Sequence, residues 1–329
     1  MTNNVTLRLS AGAAAREYRK EAMPTHLPLD PPPIRLMTRL LADLQTTILS
    51  QAIRLFEDDI DRITIFALIM RDTYDFAPTN QRPAHSISAH SLAMSLSRPY
   101  ETVRRHVNAL VEAGWCTRGP DGVRASSAEL ESPEVVAFLT LMHDAAVRFV
   151  ADLAHCGVPM PEVGAARPYH HAAGMQAAVD MMLAVVDSNR RTHGDWLELV
   201  VFSTIYCANS RLLSADRALA RQYADGRATP PPDLRPPVRT SAVARALGLP
   251  EATVRRRVAS LCADGRVERI GKKLLVSETW LNRPESVATS TQSFAIVRLL
   301  LARLGANGFP LEDPSRAYLA SRPAIPAFD

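Results

Sequence analysis

The sequence predicts a mainly α-helical protein with small β-hairpins, made by duplicating one helical unit. Three observations predict this: a repeat at fixed offset, apolar residues at helical spacing, and a recurring order of helix, tight turn, helix and hairpin. "RPYETVRRHVNALVEAGW" at 98–115 lies over "LPEATVRRRVASLCADGR" at 249–266 with an offset of 151. Thr102-Val103-Arg104-Arg105 matches Thr253-Val254-Arg255-Arg256, and Val107, Leu110 and Gly114 match Val258, Leu261 and Gly265. From 92 to 159 this register gives 22 identities in 68 positions without a gap, too long a run for chance. Upstream the offset becomes 136, with "ITIFALIM" at 63–70 over "LVVFSTIY" at 199–206. The 15 extra residues of the second copy fall around 216–238, where "TPPPDLRPPV" reads as a stiff extended loop.

In chain order, residues 1–33 form a polar arm ending in Pro31-Pro32-Pro33, expected to be loosely ordered. The first unit spans 34–163, the second 164–313, with the break in "PMPEVGAARP", and a Pro-containing tail over 314–329 is also expected to be loose. The first unit opens with Leu36, Leu40, Leu44, Ile48, Ala52 and Leu55, one buried helical stripe, followed by a second apolar segment at 60–70. The acidic run at 57–61 between them fits a helix N-terminus, where the dipole favours carboxylates, and the matching stretch "RRTHGDW" carries no such run. Next come a short helix, a turn containing Pro99 or Pro250, and a second helix over about 99–113 or 250–264 with Val103, Val107 and Leu110, or Val254, Val258 and Leu261, inward. Each ends at a glycine, Gly114 or Gly265, before two β-prone stretches around "GPDG" or "GKK". The helix-turn-helix segments are therefore 86–114 and 239–265, and the hairpins 115–126 and 266–277. Long helices over 134–155 and 285–304 close the units.

These segments resemble the winged-helix DNA-binding domains of bacterial transcription regulators of the MarR, GntR and IclR groups. The resemblance rests on Ala93, Leu96, Pro99, Thr102-Val103, Arg105, Val107, Leu110, Gly114 and Arg118, and on their partners 151 residues on. It covers about 40 residues per copy. It implies two hairpin wings, and the flanking helices resemble the dimerising helices of the MarR layout, so that one chain would act as a pseudo-dimer. A MarR-type resemblance also implies a small-molecule effector between the flanking helices and the winged part; nothing in the sequence names one.

At 100° per residue, Arg104, Arg105 and Asn108, and likewise Arg255 and Arg256, face away from the apolar stripe. Adjacent arginines there can reach phosphate or clamp guanine, and Asn108 can pair with adenine. Thr102 and Thr253 can donate to phosphate near the helix start. Arg118, Arg124, Arg269, Lys272 and Lys273 lie on the hairpins, and Arg257 replaces His106. The segments 98–124 and 251–273 carry net charges of +2 and +4, against +4 for all 329 residues, so the remainder is slightly acidic. Basicity thus concentrates where such a fold touches double-stranded DNA. Thirty-five of the 38 basic residues are arginine, a bias that a GC-rich genome also produces.

No apolar run suits a membrane span, and no secretory signal opens the chain, so a cytoplasmic, nucleoid-associated protein is expected. Cys116, Cys156, Cys207 and Cys262 lie far apart, and the His155, Cys156, His170 and His171 group fits no zinc pattern. Neither a metal nor a cofactor is expected. Met175, Met181 and Met182 read as helix core. No nucleophile motif or nucleotide loop is present, and the expectation is a regulator rather than an enzyme. Alternatives are a plasmid-type replication initiator with tandem winged helices and a winged-helix protein scaffold; the Arg-Arg pairs weigh against the scaffold. Self-association stays open.

Overall fold

The computed structural model describes residues 31–56, 59–73, 86–96, 98–126, 128, 131–163, 167–189, 192–193 and 195–329. The arm expected over 1–33, apart from its last three residues, lies outside the described residues, as do 164–166 of the expected break. The described chain is mainly helical, with two small antiparallel sheets. Its elements are α1 (Ile34–Leu55), α2 (Ile60–Thr73), α3 (Ala89–Leu96), α4 (Tyr100–Glu112), β1 (Cys116–Gly119), β2 (Gly122–Ala125) and α5 (Pro133–His155). There follow α6 (His171–Asn189), α7 (Trp196–Ala215), α8 (Arg217–Gln222), a 3-10 turn (Pro232–Leu234), β3 (Val238–Arg239), α9 (Thr240–Leu247) and α10 (Glu251–Ala263). Then come β4 (Val267–Ile270), β5 (Lys273–Val276), α11 (Glu278–Leu281), α12 (Pro284–Ala306) and a 3-10 turn (Pro314–Ala317). No described helix is long and apolar enough to cross a membrane.

Backbone details recur at the offset of 151. Cys116 pairs with Ala125 in β1–β2, and Val267 with Val276 in β4–β5. Ile87 bridges Val123, and Val238 bridges Leu274. Helices α4 and α10 both follow a proline, Pro99 (φ −56°, ψ 133°) and Pro250 (φ −58°, ψ 132°). Proline suits this place because the first helical turn has no N–H partner to lose. Each helix ends before a left-handed glycine, Gly114 (φ 83°) or Gly265 (φ 69°). The long helices α5 and α12 start and end within a residue of the same correspondence.

The described residues form two compact units that cut across the sequence repeat. The smaller holds 61–73 and 86–132; the larger holds 31–60 and 133–329. In the smaller unit Val103, Val107 and Leu110 of α4 are fully buried with Leu92 of α3 and Val123 of β2. Phe66 of α2 meets Trp115 edge-on, ring centres 5.3 Å apart. Thr73, at the end of α2, accepts a hydrogen bond from the Ala125 amide at 3.0 Å and so fixes β2 to the helix. Gly122 is required at the hairpin, since a Cβ there would lie 2.4 Å from the Ile87 carbonyl oxygen.

In the larger unit α1, α5, α6 and α12 close a ring, each packing on two others. Helix α1 also packs against α7 and α9. The sheet here has the order β3-β5-β4. Asn209 of α7 does for β5 what Thr73 does for β2, accepting from the Val276 amide (2.9 Å), and it also donates to the carbonyls of Leu274 (3.2 Å) and Pro236 (2.9 Å). Arg148 of α5 is buried and donates to Thr47 Oγ1 (2.9 Å) and the Asp43 carbonyl (3.2 Å) on α1. Burial pushes the Asp43 carboxyl up to about 6.

The C-terminal tail departs from expectation: it is strapped along α5. The Asp144 carboxylate accepts from the amides of Leu319 (2.9 Å), Ala320 (2.9 Å) and Ser321 (3.1 Å). One turn on, Arg148 donates to the Pro323 carbonyl (2.8 Å), and a further turn on Asp152 pairs with Arg322 (2.7 Å). Charge-assisted bonds from one helix face hold a segment whose proline content alone suggested looseness.

Candidate nucleic-acid interface

Helices α4 and α10 bury the same stripe and expose the same stripe. Arg104, Arg105, Arg255 and Arg256 are exposed, opposite valines that are 0–1% exposed. In each pair the first arginine is held by a glutamate of its own helix. Arg104 pairs with Glu101 (2.8 Å, i to i+3), which raises the guanidinium pKa, and Arg255 pairs with Glu251 (2.8 Å, i to i+4). The glutamates are not equivalent positions of the repeat, yet the outcome is the same. The second arginine of each pair, Arg105 or Arg256, has no carboxylate partner among the described residues. Each head therefore presents one steered and one free guanidinium early on an exposed helix.

The other predicted residues divide into three groups. Thr102 and Thr253 are half-buried near the helix starts. Arg118 on β1 is exposed and donates to Asn108 Oδ1 at 2.7 Å, so the amide oxygen of Asn108 is engaged and its NH₂ group is what remains to offer a base. Arg124 is exposed on β2, its Nε donating to Thr117 Oγ1 at 3.2 Å across the hairpin. Arg269, Lys272 and Lys273 are exposed on β4–β5 and its turn, with Arg269 hydrogen-bonded to Cys262.

Arg257 is the exception. It turns back to Asp195 at the start of α7 (2.7 Å) and is not on the outward face with Arg255 and Arg256. Helical geometry explains this: 257 lies one step round from 256, toward the packed side, where the first copy has the buried His106. Asp195 also caps α7, accepting from the Glu198 amide at 2.8 Å. Glu198 is buried and accepts from Ser260 Oγ on α10 (2.9 Å) and from Arg266 (2.6 Å), whose guanidinium also donates to His193 Nδ1 (3.0 Å). Burial lowers the His193 pKa, so the ring is neutral and can accept that bond. These contacts fix the orientation of α10 against α7.

Sequence reasoning missed two exposed cations of the second head, Arg239 before α9 and Arg245 on it. The 3.6-residue period of α9 would have placed Arg245 outside, opposite the buried Val243 and Leu247. Among the described residues no group of His, Cys, Asp and Glu is arranged to hold a metal; His170 and His171 instead stack on each other at 4.4 Å. Cys116 is buried, which pushes its thiol up to about 12 and removes it from nucleophilic chemistry.

The larger unit also holds a cavity of about 600 Å³ bounded by α1, α6, α7, α11 and α12. Its wall includes Gln45, Asn189, Phe202, Ser203, Trp280 and Ser290, and none of its described lining side chains is charged apart from the neutral phenol of Tyr206. No family model, curated protein or solved structure matches the chain.

Proposed function

We propose that the chain is a sequence-specific double-stranded DNA-binding transcription regulator with two winged-helix reading heads. The heads descend from an internal duplication, a reading supported by matching strand registers and helix boundaries 151 residues apart. One observation carries the functional proposal. Two helices present Arg-Arg pairs at the same register, opposite the same buried stripe and followed by the same hairpin register. Within each pair one arginine is preset by a glutamate and the other is free to reach phosphate or guanine. With both heads in one chain, a monomer acts as a pseudo-dimer on an imperfect palindrome or an asymmetric site. Half-sites about 34–36 Å apart, one helical turn, are expected for this mode. The chain works by binding and performs no catalysis. The uncharged cavity suits a neutral effector bearing a flat ring and hydrogen-bonding groups. Phe202 and Leu199 line it one turn from Glu198, the residue that steers α10.

The test is duplex binding across a salt series by wild type, Arg104→Ala/Arg105→Ala and Arg255→Ala/Arg256→Ala. Each double variant is expected to weaken binding and to reduce the salt slope by about 1–2. The second-head variant is expected to lose more, because that head also carries Lys272 and Lys273. Unchanged binding in both variants would sink the proposal.

A further inference from the structure

Two departures from the repeat meet in one place. The segment between α7 and β3 is the insertion that the first copy lacks. Arg35 and Arg39, one turn apart on α1, also lack counterparts: the positions 136 residues on are His171 and Met175. Both arginines are buried, 5% and 2% exposed, beneath the inserted segment, in a cavity of about 380 Å³ that also takes in Tyr223, Gly226, Arg235 and Glu278.

The charges there do not balance. Arg235 pairs with Glu278 at 3.2 Å. Arg35 and Arg39 have no carboxylate within ion-pair distance among the described residues. Arg39 spends Nη1 and Nη2 on the carbonyls of Tyr223 (2.8 Å) and Ala220 (3.0 Å). Arg35 donates through Nη2 to Asn282 Oδ1 (2.9 Å) and the Leu281 carbonyl. That leaves Nε and Nη1 of Arg35 and Nε of Arg39 buried without a partner. The backbone amides at the start of α1 are already taken by the Ala224 carbonyl, so only side chains are left to receive a ligand. Gly226, at φ +86°, brings its backbone against Arg35; a Cβ there would stand 3.0 Å from Arg35 Nε. Buried guanidinium nitrogens without partners are costly, and an arginine matches a tetrahedral oxyanion in both charge and donor geometry.

We propose that this cavity binds a phosphate-class oxyanion, which neutralises Arg35 and Arg39 and seats the inserted segment on α1. Two unmatched positive charges favour a dianion over a carboxylate. The site is independent of the DNA-reading faces and does not rest on the regulator reading.

The experiment follows thermal unfolding of the full chain at constant ionic strength in inorganic phosphate, acetate or chloride. ³¹P line broadening of inorganic phosphate is read in parallel. Phosphate near 100 times its Kd is expected to raise Tm by about 3 °C over chloride, with acetate well below it. Arg35→Gln abolishes the phosphate-specific rise and the broadening, whereas Arg105→Ala/Arg256→Ala keeps both. Should Arg35→Gln not fold, Arg35→Lys keeps the charge but loses donors, and a reduced response is expected. Equal Tm in phosphate and chloride, an equal rise with acetate, or a full response in the folded Arg35 variant overturns the proposal. So does loss of the response in Arg105→Ala/Arg256→Ala, which would put the anion on the outer helix faces.

Discussion

The two heads share a backbone register but are locked by different chemistry. In the first, Trp115 meets Phe66 edge-on. In the second, the residue at the Trp115 position is Arg266, bound to the buried Glu198, while Phe202, at the Phe66 position, packs against Trp280 at 4.9 Å. The first head is a compact unit of its own; the second belongs to the larger unit with the helical ring. One backbone plan thus tolerates an aromatic or an ionic lock, because the valine and leucine stripe beneath is unchanged. What differs is how much else each head is fastened to, and that difference can be tested.

The largest effects should come from the shared stripe. Leu110→Ala and Leu261→Ala remove equivalent, fully buried side chains, each costing about 2–5 kcal/mol. Calorimetry is expected to show Leu110→Ala lowering a transition of the smaller unit alone and Leu261→Ala lowering the main transition. A single transition shifted alike by both would erase the distinction between the heads.

Next, the fall in stability with pH should belong to the larger unit. The Asp43 pKa, about 6, lies above the ordinary value, so the folded chain holds that proton more tightly than the unfolded one. The sign follows: stability from this group is fully present below pH ~4 and is lost as pH rises through about 6. Relative to Asp43→Asn, wild type should lose about 2–3 kcal/mol across that window in urea titrations. Parallel pH profiles would show that Asp43 does not titrate there.

A smaller contrast lies in the strand clasps. Asn209→Ala strands three backbone groups and should cost about 2–3 kcal/mol, whereas Thr73→Ala strands one and should cost about 1 kcal/mol. Equal losses by chemical denaturation would mean that the extra Asn209 bonds add nothing. Smallest of all, Glu101→Gln and Glu251→Gln remove exposed intrahelical pairs and should shift stability by under about 0.5 kcal/mol. In both, DNA affinity is expected to rise through removal of a negative charge, and a fall in the same binding assay would assign the glutamates a positioning part instead.

Much of the molecule was legible in the residues. The offset of 151 anticipated the helix and hairpin positions in both heads, because apolar period, proline and glycine act locally. The outward pairs Arg104-Arg105 and Arg255-Arg256 followed from the same period. Arg257 was not legible: its nearness to Arg256 in sequence suggested the outer face, and only Asp195, 62 positions away, turns it inward. Nor was the strap over 314–329, whose holders Asp144, Arg148 and Asp152 form a polar stripe on α5 with no sequence cue to what they hold.

The sequence by itself determined which segments are helix or hairpin, which face of each is apolar, and that two segments share one plan. Those properties depend on neighbours within a turn or a strand pair. Only the tertiary structure decided the partners. Helices α1 and α5, first-copy segments in sequence, are built into the larger unit. Arg35 and Arg39 lie buried under a loop almost two hundred positions away. An apolar face specifies that it must be covered, not by what, and a buried charge becomes visible as unpaired only once everything around it is in place.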